Sequence, residues 1–199
     1  MSYPKKLTLG ICGASGVHLG ARFAKLLPSD ISLFVIPSEG AKLVYEKELA
    51  HLHTNHAITH NLTLALQSLQ RDNVTLLDDK DLSACVSSGS FGIEAMCVIP
   101  TSSDMLAKIA CGISDTLTSR AASVMLKERK KLLLAVREMP LSPIMLENML
   151  KLSNLGVHIA PPIAGYYAKI TTLEDLENFF IGKWFDLLHI PHNLFTRWS

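Results

Sequence analysis

The chain has 199 residues, of which 48% are hydrophobic and 19% are charged, and its formal net charge at pH 7 is +1. This length is typical of one domain with a substantial core. The near-neutral charge gives no electrostatic reason to expect a nucleic acid or an anionic membrane as a partner. From the length, we predict a single domain over residues 1–199. Because charged residues are few, we also predict that other subunits cover part of its surface.

The four cysteines indicate a reducing compartment, because Cys12, Cys85, Cys97 and Cys111 are scattered and form no C-x-x-C pair. The sequence has no apolar run of membrane-spanning length. We also expect no signal peptide, because the first six residues lead directly into an apolar segment. We therefore expect a cytoplasmic protein.

The first apolar segment, residues 7–11, has strand character, and the small-residue turn CGASG follows at 12–16. Residues 17–27 then carry helical spacing. Such a turn lets a ligand approach the backbone closely, and the unpaired N–H groups at the helix start favour an anionic or polar group. The glycine spacing matches neither the dinucleotide fingerprint nor a P-loop, so the alternative is a tight turn needed only for packing.

A second buried strand is predicted over residues 31–36, and a helix over 41–49. Ser38 lies between them, where its hydroxyl either contacts a ligand or caps the helix. Glu48, ten residues further on, is by default an exposed helix carboxylate.

The next stretch contains His51, His53, His56 and His60. Their spacing, without a cysteine or an acidic partner, matches no standard metal site. We therefore predict no metal here, but a solvated loop and a short helix that lead to a strand over 74–77.

The longest irregular piece, residues 78–95, contains the run SSGSFG at 87–92. A polar, glycine-rich segment of this length is usually functional or covers a partner subunit. A strand over 95–99 and a helix over 105–110 follow it. The turn between them, at 100–104, carries three hydroxyls where helix capping needs one, which favours a phosphate-binding turn.

Arg120 and Lys127 lie on one face of the helix predicted over 116–129, because seven residues make about two turns. The apolar strand that follows, LLLAV, ends at Arg137 and Glu138. Open α/β sheets bind ligands at the carboxyl ends of central strands, so these two side chains are candidates for a ligand site. A structural ion pair between them is the alternative.

A helix over 142–152, a strand over 157–160 and a helix over 173–188 complete an alternation of strands and helices. The alternation predicts an α/β fold with a single doubly wound, mostly parallel sheet, right-handed crossovers and helices on both faces. Trp198, close to the chain end, is expected to pack onto its own domain or onto a neighbour. The polar groups that follow the strands should gather along one sheet edge: Ser15, Ser38, residues 101–103, Arg137 and Glu138.

Several short motifs resemble the flavin prenyltransferase family, the UbiX group, over nearly the whole chain. They are GASG at 13–16, SGS at 88–90, SRAA at 119–122, LKER at 126–129, REMPL at 137–141, LENM at 146–149, the tyrosines at 166–167, and RW at 197–198. The resemblance implies a Rossmann-like flavoprotein fold and an enzyme that transfers a dimethylallyl group from dimethylallyl monophosphate to N5 and C6 of reduced FMN. It also implies that the product, prenylated FMN, serves a UbiD-type decarboxylase.

The resemblance further implies a dodecamer whose sites lie between subunits, with residues 173–199 contacting a neighbour. Flavin-binding positions are Gly13, Ala14, Ser15, Ser38, Ser102, Ser103, Asp104, Met105 and Arg137. Positions that hold the prenyl phosphate are Tyr167 and Lys183, with Ser90, Arg120, Lys127 and Arg137 nearby. Glu138 matches the acid/base residue, Glu48 a second active-site carboxylate, Trp198 an aromatic wall, and Ser15 is included among the catalytic positions. The chain departs from the family pattern at Met105, commonly threonine, and at Ser123, commonly aspartate.

The implied chemistry agrees with these residue types. Arginine, lysine and tyrosine stabilise a departing phosphate, an aromatic ring shelters an allyl cation, and a carboxylate takes the ring proton, so no metal is required. Two alternatives use the same fold: an FMN-dependent decarboxylase of a cysteine-containing substrate, and a non-catalytic FMN carrier. Such decarboxylases pair a histidine with a Pro-x-Met-Asn motif, which is absent after the strand that ends at Arg137.

Overall fold

Six strands form one sheet in the computed structural model, which describes residues 3–49 and 61–198. The strands are β1 Lys6–Ile11, β2 Ser32–Pro37, β3 Val74–Leu76, β4 Ala95–Thr101, β5 Lys131–Val136 and β6 His158–Ile159. Their spatial order is β3-β2-β1-β4-β5-β6, and every neighbouring pair is parallel. The predicted doubly wound parallel sheet is therefore confirmed.

Helices cover both faces of the sheet, as the alternation predicts. The described helices are α1 Val17–Leu26, α2 Glu39–Leu49, α3 Leu62–Gln67, α4 Ser103–Cys111, α5 Leu117–Lys127, α6 Pro143–Asn154 and α7 Leu173–Leu188. Helices α1, α2, α3 and α7 contribute to one buried apolar cluster, and α4, α5 and α6 contribute to a second cluster. Within the two described ranges, no helix combines the length and apolar character that crossing a membrane requires.

Strand β4 shows why the central strands are apolar along their whole length. Ala95, Cys97 and Ile99 face the first cluster, whereas Met96 and Val98 face the second, and all five are buried. A strand covered by helices on both faces has no solvent side, so it reads as a continuous apolar run.

Hydrogen bonds at helix starts explain where the observed bounds differ from the predicted ones. Helix α4 begins at Ser103, two residues before the prediction, because the Ser102 hydroxyl accepts the Met105 N–H at 3.2 Å and caps the helix. Helix α7 has the predicted bounds, since Thr172 and Asp175 cap each other reciprocally at its start. The four histidines between 51 and 60 lie outside the described residues.

The strand order reverses between β1 and β4, because β2 lies on one side of β1 and β4 on the other. Open α/β sheets bind their ligands in the crevice beyond the carboxyl ends of the strands at this reversal. The turn after β1 and the turn after β4 therefore border the expected ligand crevice.

Replacing Gly20 by alanine should lower the free energy of unfolding by about 1–3 kcal/mol. A Cβ at this position would lie 2.5 Å from the Ile99 carbonyl oxygen, and a backbone atom cannot move aside as a side chain end can. The overlap should exceed the gain of about 1 kcal/mol that alanine gives over glycine in a helix. Denaturant unfolding measures the change.

The matched control is Gly40→Ala, whose Cβ would be 3.5 Å from its nearest neighbour, the Gly13 Cα. This variant should lose no stability. Equal stability of both variants would show that α1 does not pack on β4 as closely as described.

Candidate functional site

Backbone hydrogen bonds hold the turn after β1 between the ends of its two neighbouring strands. The Cys12 N–H donates to the Pro100 carbonyl at 3.2 Å, and the Ser38 N–H donates to the Ile11 carbonyl at 3.0 Å. A Cβ on Gly13 would lie 2.7 Å from the Gly40 carbonyl carbon, so the turn packs on α2 backbone to backbone. This close approach to the backbone of α2 requires a glycine at position 13.

Glu48 also contacts this turn. Both of its carboxylate oxygens accept the Gly16 N–H at 3.1 Å, and Gly16 has a φ of +86°, the left-handed region that favours glycine. Gly40 and Glu48 lie about 12 Å apart along α2. Because both ends of α2 meet the 13–16 turn, α2 runs alongside the turn, and Glu48 is a half-buried group of the site rather than a free surface carboxylate.

Ser38 and Ser15 present hydroxyls beside the same turn. The Ser38 hydroxyl accepts the Ala41 N–H at 3.1 Å, so it caps the start of α2, and its own proton can still be donated to a ligand. Ser15 is exposed at the middle of the turn. The cap and the ligand contact, set out as alternatives for Ser38, are therefore compatible.

The turn after β4 provides a helix start next to the first turn. Ser102 caps α4, while Ser103 and Asp104 are exposed in the first helical turn. The Asp104 carboxylate lies 3.3 Å from the Lys108 ammonium, one turn further on. The Met105 side chain is buried in the second apolar cluster, so at this position a ligand can meet only the backbone.

The Cys12 thiol lies at this junction but stays protonated. Burial raises its pKa to about 12, and a hydrogen bond from the Ser102 backbone offsets only part of that effect. A thiol with this pKa is neutral at pH 7 and is a weak nucleophile. Cys12 therefore contributes packing to the site and not covalent chemistry.

Arg137 and Glu138 extend the carboxyl edge from β4 to β5. The Arg137 N–H donates to the Thr101 carbonyl at 3.1 Å, and both side chains are exposed. Among the described residues, no ion pair joins them, so the structural ion pair is not the reason for their presence. Glu138 instead accepts the Met139 N–H at 3.0 Å.

A cavity of about 610 Å³ opens beside Glu138. Its walls are mostly apolar, from the end of β5, from α6, and from the segment after β6: Val136, Met139, Leu141, Leu146, Met149, Pro161, Pro162 and Ile163. A carboxylate and a guanidinium at the mouth of an apolar cavity suit a ligand with one polar end and one hydrocarbon end.

Ser90 and Lys127 lie at the opposite edge of the sheet. The Lys6 ammonium, at the start of β1, donates to the Phe91 carbonyl at 3.2 Å. Gly89 packs directly against Glu128, which follows Lys127 at the end of α5. Ser90 and Lys127 are thus close to each other, beside the amino ends of the strands.

The sheet separates these two residues from Glu138 in the same chain. A strand of six residues spans roughly 20 Å. Arg120 lies about 10 Å from Lys127 along α5, toward the helix start. That start is held at the carboxyl edge, because the Thr118 N–H donates to the Asp79 carboxylate at 2.9 Å. The structure therefore confirms the shared helix face but places Arg120 and Lys127 toward different edges.

The remaining candidates form a third group on α7 and its flanks. The Tyr167 ring lies 5.5 Å from the Trp198 ring and 5.8 Å from the Phe179 ring, measured between centroids. Lys183 lines a smaller cavity of about 200 Å³ together with Pro161 and Ile163. Since those two residues also line the Glu138 cavity, Lys183 and Glu138 lie on opposite sides of one short segment.

The carboxyl-edge groups fit a flavin mononucleotide. The exposed first turn of α4 and the Ser15, Ser38 and Ser103 hydroxyls suit a phosphate, since helix N–H groups and hydroxyls are the usual phosphate donors. Gly13 carries no side chain and is exposed, so a flat ligand can approach the backbone of the turn. Gly40 and Asp79 were not identified from the sequence; a glycine in the first turn of a helix was the available signal for Gly40.

Comparison with known proteins assigns the chain to a family. The protein-family model described as Flavoprotein matches residues 1–185. The flavin prenyltransferase UbiX of Campylobacter jejuni is 49% identical over 197 residues, which cover 98% of each chain.

Two solved structures superpose on nearly the whole fold. The crystal structure of AnUbiX (PadA1) in complex with FMN and dimethylallyl pyrophosphate has a TM-score of 0.85 and 33% identity, covering 98% of this chain and 97% of that one. A dodecameric FMN-dependent UbiX-like decarboxylase from Escherichia coli O157:H7 has a TM-score of 0.84 and 34% identity, covering 98% and 99%. The chain therefore belongs to the flavoprotein family and, within it, to the flavin prenyltransferases of the UbiX group.

Proposed function

We propose that this enzyme transfers a dimethylallyl group from dimethylallyl monophosphate to N5 and C6 of reduced FMN and releases prenylated FMN. The observation that carries the proposal is one sheet edge that bears both a glycine turn suited to a flavin, after β1, and an apolar cavity with Glu138 at its mouth, after β5. Relatives named flavin prenyltransferases, and a related structure that holds FMN and dimethylallyl pyrophosphate together, support it.

Binding of the acceptor is assigned to the turns after β1, β2 and β4. The flavin supplies nucleophilic N5 and C6 when it is bound in the reduced form. The first turn of α4, with Ser102 and Ser103, would hold the FMN phosphate through N–H and hydroxyl donors. Gly13, Ser15 and Ser38 would meet the rest of the flavin, and Arg137 would lie at its edge beside the apolar cavity.

Departure of the phosphate requires cationic donors. The C–O bond of the allylic phosphate breaks, its electron pair goes to the phosphate, and the five-carbon group is left with a positive charge. Donors such as Arg120, Lys127 and Tyr167, together with Lys183 and Ser90, would stabilise the departing anion. The Trp198 ring would shelter the cation.

Glu138 is assigned the proton transfer. N5 captures the allyl cation and loses its own proton. For the second bond, the double bond of the N5-linked C5 unit must gain a proton, which gives a cation that C6 attacks, and C6 then loses the proton it carried. A carboxylate at the cavity mouth is placed to deliver a proton to that double bond and to take up the proton from C6. Glu48, which binds the Gly16 N–H, would hold the flavin-binding turn in shape and add a second carboxylate nearby.

The assembly proposed for the enzyme is a homo-dodecamer. One chain carries Ser90 and Lys127 across the sheet from Glu138, so a site that uses all three needs a second copy. Large exposed apolar side chains would be covered by such a copy: Met139 and Ile163, which line the cavity, are 88% and 71% exposed, and Tyr166 is 96% exposed. A related structure is described as dodecameric, which supports this assembly.

The product is proposed to serve a UbiD-type decarboxylase in the cytoplasm, since prenylated FMN is made as a cofactor for another enzyme. A flavin that has acquired a hydrocarbon group must leave this site and enter the recipient. The apolar cavity beside Glu138 opens to the surface of the chain, which suits release.

Incubation of the enzyme with reduced FMN and dimethylallyl monophosphate, without oxygen, should give a flavin that is heavier by one C5 unit. Mass spectrometry of the extracted flavin measures this. An unchanged flavin mass would contradict the proposal. Oxidative decarboxylation of a peptide with a C-terminal cysteine would instead indicate the decarboxylase alternative, and FMN binding without either reaction would indicate a carrier.

A further inference from the structure

The last turn of α7 contains a carboxylate in a position where an isolated helix would disfavour one. Asp186 lies two residues before the end of α7 at Leu188, and the last turn carries no basic residue. The partial negative charge of a helix C-terminus repels an acidic group there. Within α7, the Lys183 ammonium approaches the Asp186 carboxylate only to 4.0 Å, so closer cationic partners have to come from outside the helix.

Both strong partners come from the C-terminal tail, which we define as residues 190–198. The Arg197 guanidinium donates to both oxygens of Asp186, at 2.8 and 3.2 Å, and His192 Nε2 lies 3.1 Å from Oδ1. Partial burial opposes the charged form of Asp186, but the hydrogen bonds from Arg197 and His192 outweigh it and lower the pKa of this carboxyl. A two-pronged arginine–carboxylate pair fixes orientation as well as distance.

Gly182 provides a second, independent point of attachment one turn earlier on the same face of α7. A Cβ there would lie 2.5 Å from Cδ1 of Phe195 and 2.8 Å from Cε1 of His192, so the tail rests on the helix backbone. The Phe195 ring also lies 5.1 Å from the Phe179 ring. The tail is thus held on α7 by close packing at Gly182 and by the ion pair at Asp186.

These contacts of the tail determine the position of Trp198. Trp198 follows Arg197 directly, and its ring lies 5.5 Å from the Tyr167 ring although 80% of its surface is exposed. Because most of the Trp198 ring is exposed, burial of its own surface stabilises its position only weakly. The position of the ring beside Tyr167 therefore depends on how the tail is held.

We propose that Asp186 is a positioning residue that, with Gly182, holds the C-terminal tail on α7 and so keeps Trp198 against Tyr167 for the transfer reaction. The attachment itself stands on the contacts of the tail. Its catalytic consequence rests on the proposed function, in which Tyr167 and Trp198 border the prenyl group.

The test compares Asp186→Ala and Gly182→Val in the full-length enzyme. The first removes the ion pair with Arg197 together with the 4.0 Å contact to the proposed phosphate donor Lys183. The second fills the space under Phe195 and leaves every charge in place, so an effect shared by both variants reports on the tail. The matched control is Glu174→Ala, which removes an exposed carboxylate of the same helix that pairs with Arg22 at 2.7 Å, away from the tail. Hydrogen exchange followed by mass spectrometry reports on peptides from the tail, and kinetics with dimethylallyl monophosphate and reduced FMN reports on the site.

Both variants should exchange tail amides about tenfold faster than the wild type, with unchanged exchange in β1 and β4. Their kcat/KM for dimethylallyl monophosphate should fall about tenfold, while the Kd for FMN stays within about twofold, because the prenyl side of the site is displaced and the flavin side is not. Reversing the pair in Asp186→Arg with Arg197→Asp should restore part of the tail protection and part of kcat/KM.

Unchanged tail exchange in both single variants would overturn the attachment. A released tail with unchanged kcat/KM would overturn the positioning role. Should the wild type transfer no prenyl group, the proposed function fails, and the exchange measurement still decides whether Asp186 and Gly182 hold the tail. If Asp186→Ala does not fold, Gly182→Val tests the same attachment without touching a charge.

Discussion

Glu138→Gln should bind FMN as the wild type does and lower kcat about 10²- to 10⁴-fold, the range typical of a lost general acid or base. Glutamine keeps the shape of glutamate, and its amide oxygen can still accept the Met139 N–H that Glu138 accepts at 3.0 Å. It cannot take up a proton. The loss should therefore appear after N5 has acquired the C5 unit, when the double bond of that unit must gain a proton and C6 must release its own.

Single-turnover kinetics without oxygen separates the two bond formations. The variant should accumulate a flavin linked to the C5 unit at N5 only, visible as a mass equal to that of the product with a different absorption spectrum. The matched control is Glu147→Gln, an exposed carboxylate on α6. Wild-type turnover of Glu138→Gln would rule out the proton-transfer role, and loss of FMN binding would show that Glu138 belongs to the flavin contacts instead.

The sheet and its ligand edge could be predicted from the sequence because both follow from local patterns. Uninterrupted apolar runs such as the one over β5 are typical of strands that are buried on both faces, and their alternation with helical spacing indicates a parallel sheet. Once the sheet is parallel, the residues that follow each strand must share an edge. Ser15, Ser38, Ser102 and Arg137 could therefore be grouped before any coordinates were known.

The course of α2 could not be predicted in the same way. The sequence indicates a helix after β2 but not the direction it takes, because direction depends on which neighbours its ends contact. Gly13 allows α2 to lie against the first turn, and Glu48 then reaches the Gly16 N–H. This contact joins residues 32 positions apart, so no local sequence pattern predicts it.

Helical spacing likewise shows that two residues lie on one face of a helix, but not that both contact the same ligand. Arg120 and Lys127 do lie on one face of α5, yet they point toward different sheet edges because α5 spans the distance between those edges. A site that needs both cannot be inferred from one chain's spacing. It follows from where α5 begins, which the Asp79 contact with Thr118 determines.

Because Lys127 and Glu138 lie at opposite sheet edges, two variants that are inactive alone should recover activity when they form mixed oligomers. Glu138→Gln and Lys127→Met should each be at least about 100-fold less active than the wild type when alone. When they are co-assembled, sites that combine Glu138 of one chain with Lys127 of another should recover roughly a quarter of wild-type activity, since each chain is intact at one residue with a chance of one half. The two variants are coexpressed with different tags, purified through both tags, and assayed for prenylated FMN.

The matched control mixes Glu138→Gln with Arg137→Ala. Both residues lie at the carboxyl edge of the same chain, where the Arg137 N–H is bound to the Thr101 carbonyl, so one chain must supply both and no mixed oligomer should recover activity. Recovery in the control, or none in the first mixture, would contradict a site built from opposite sheet edges of two copies. A Lys127→Met variant with full activity alone would contradict it more directly, because Lys127 would then have no part in the departure of the phosphate.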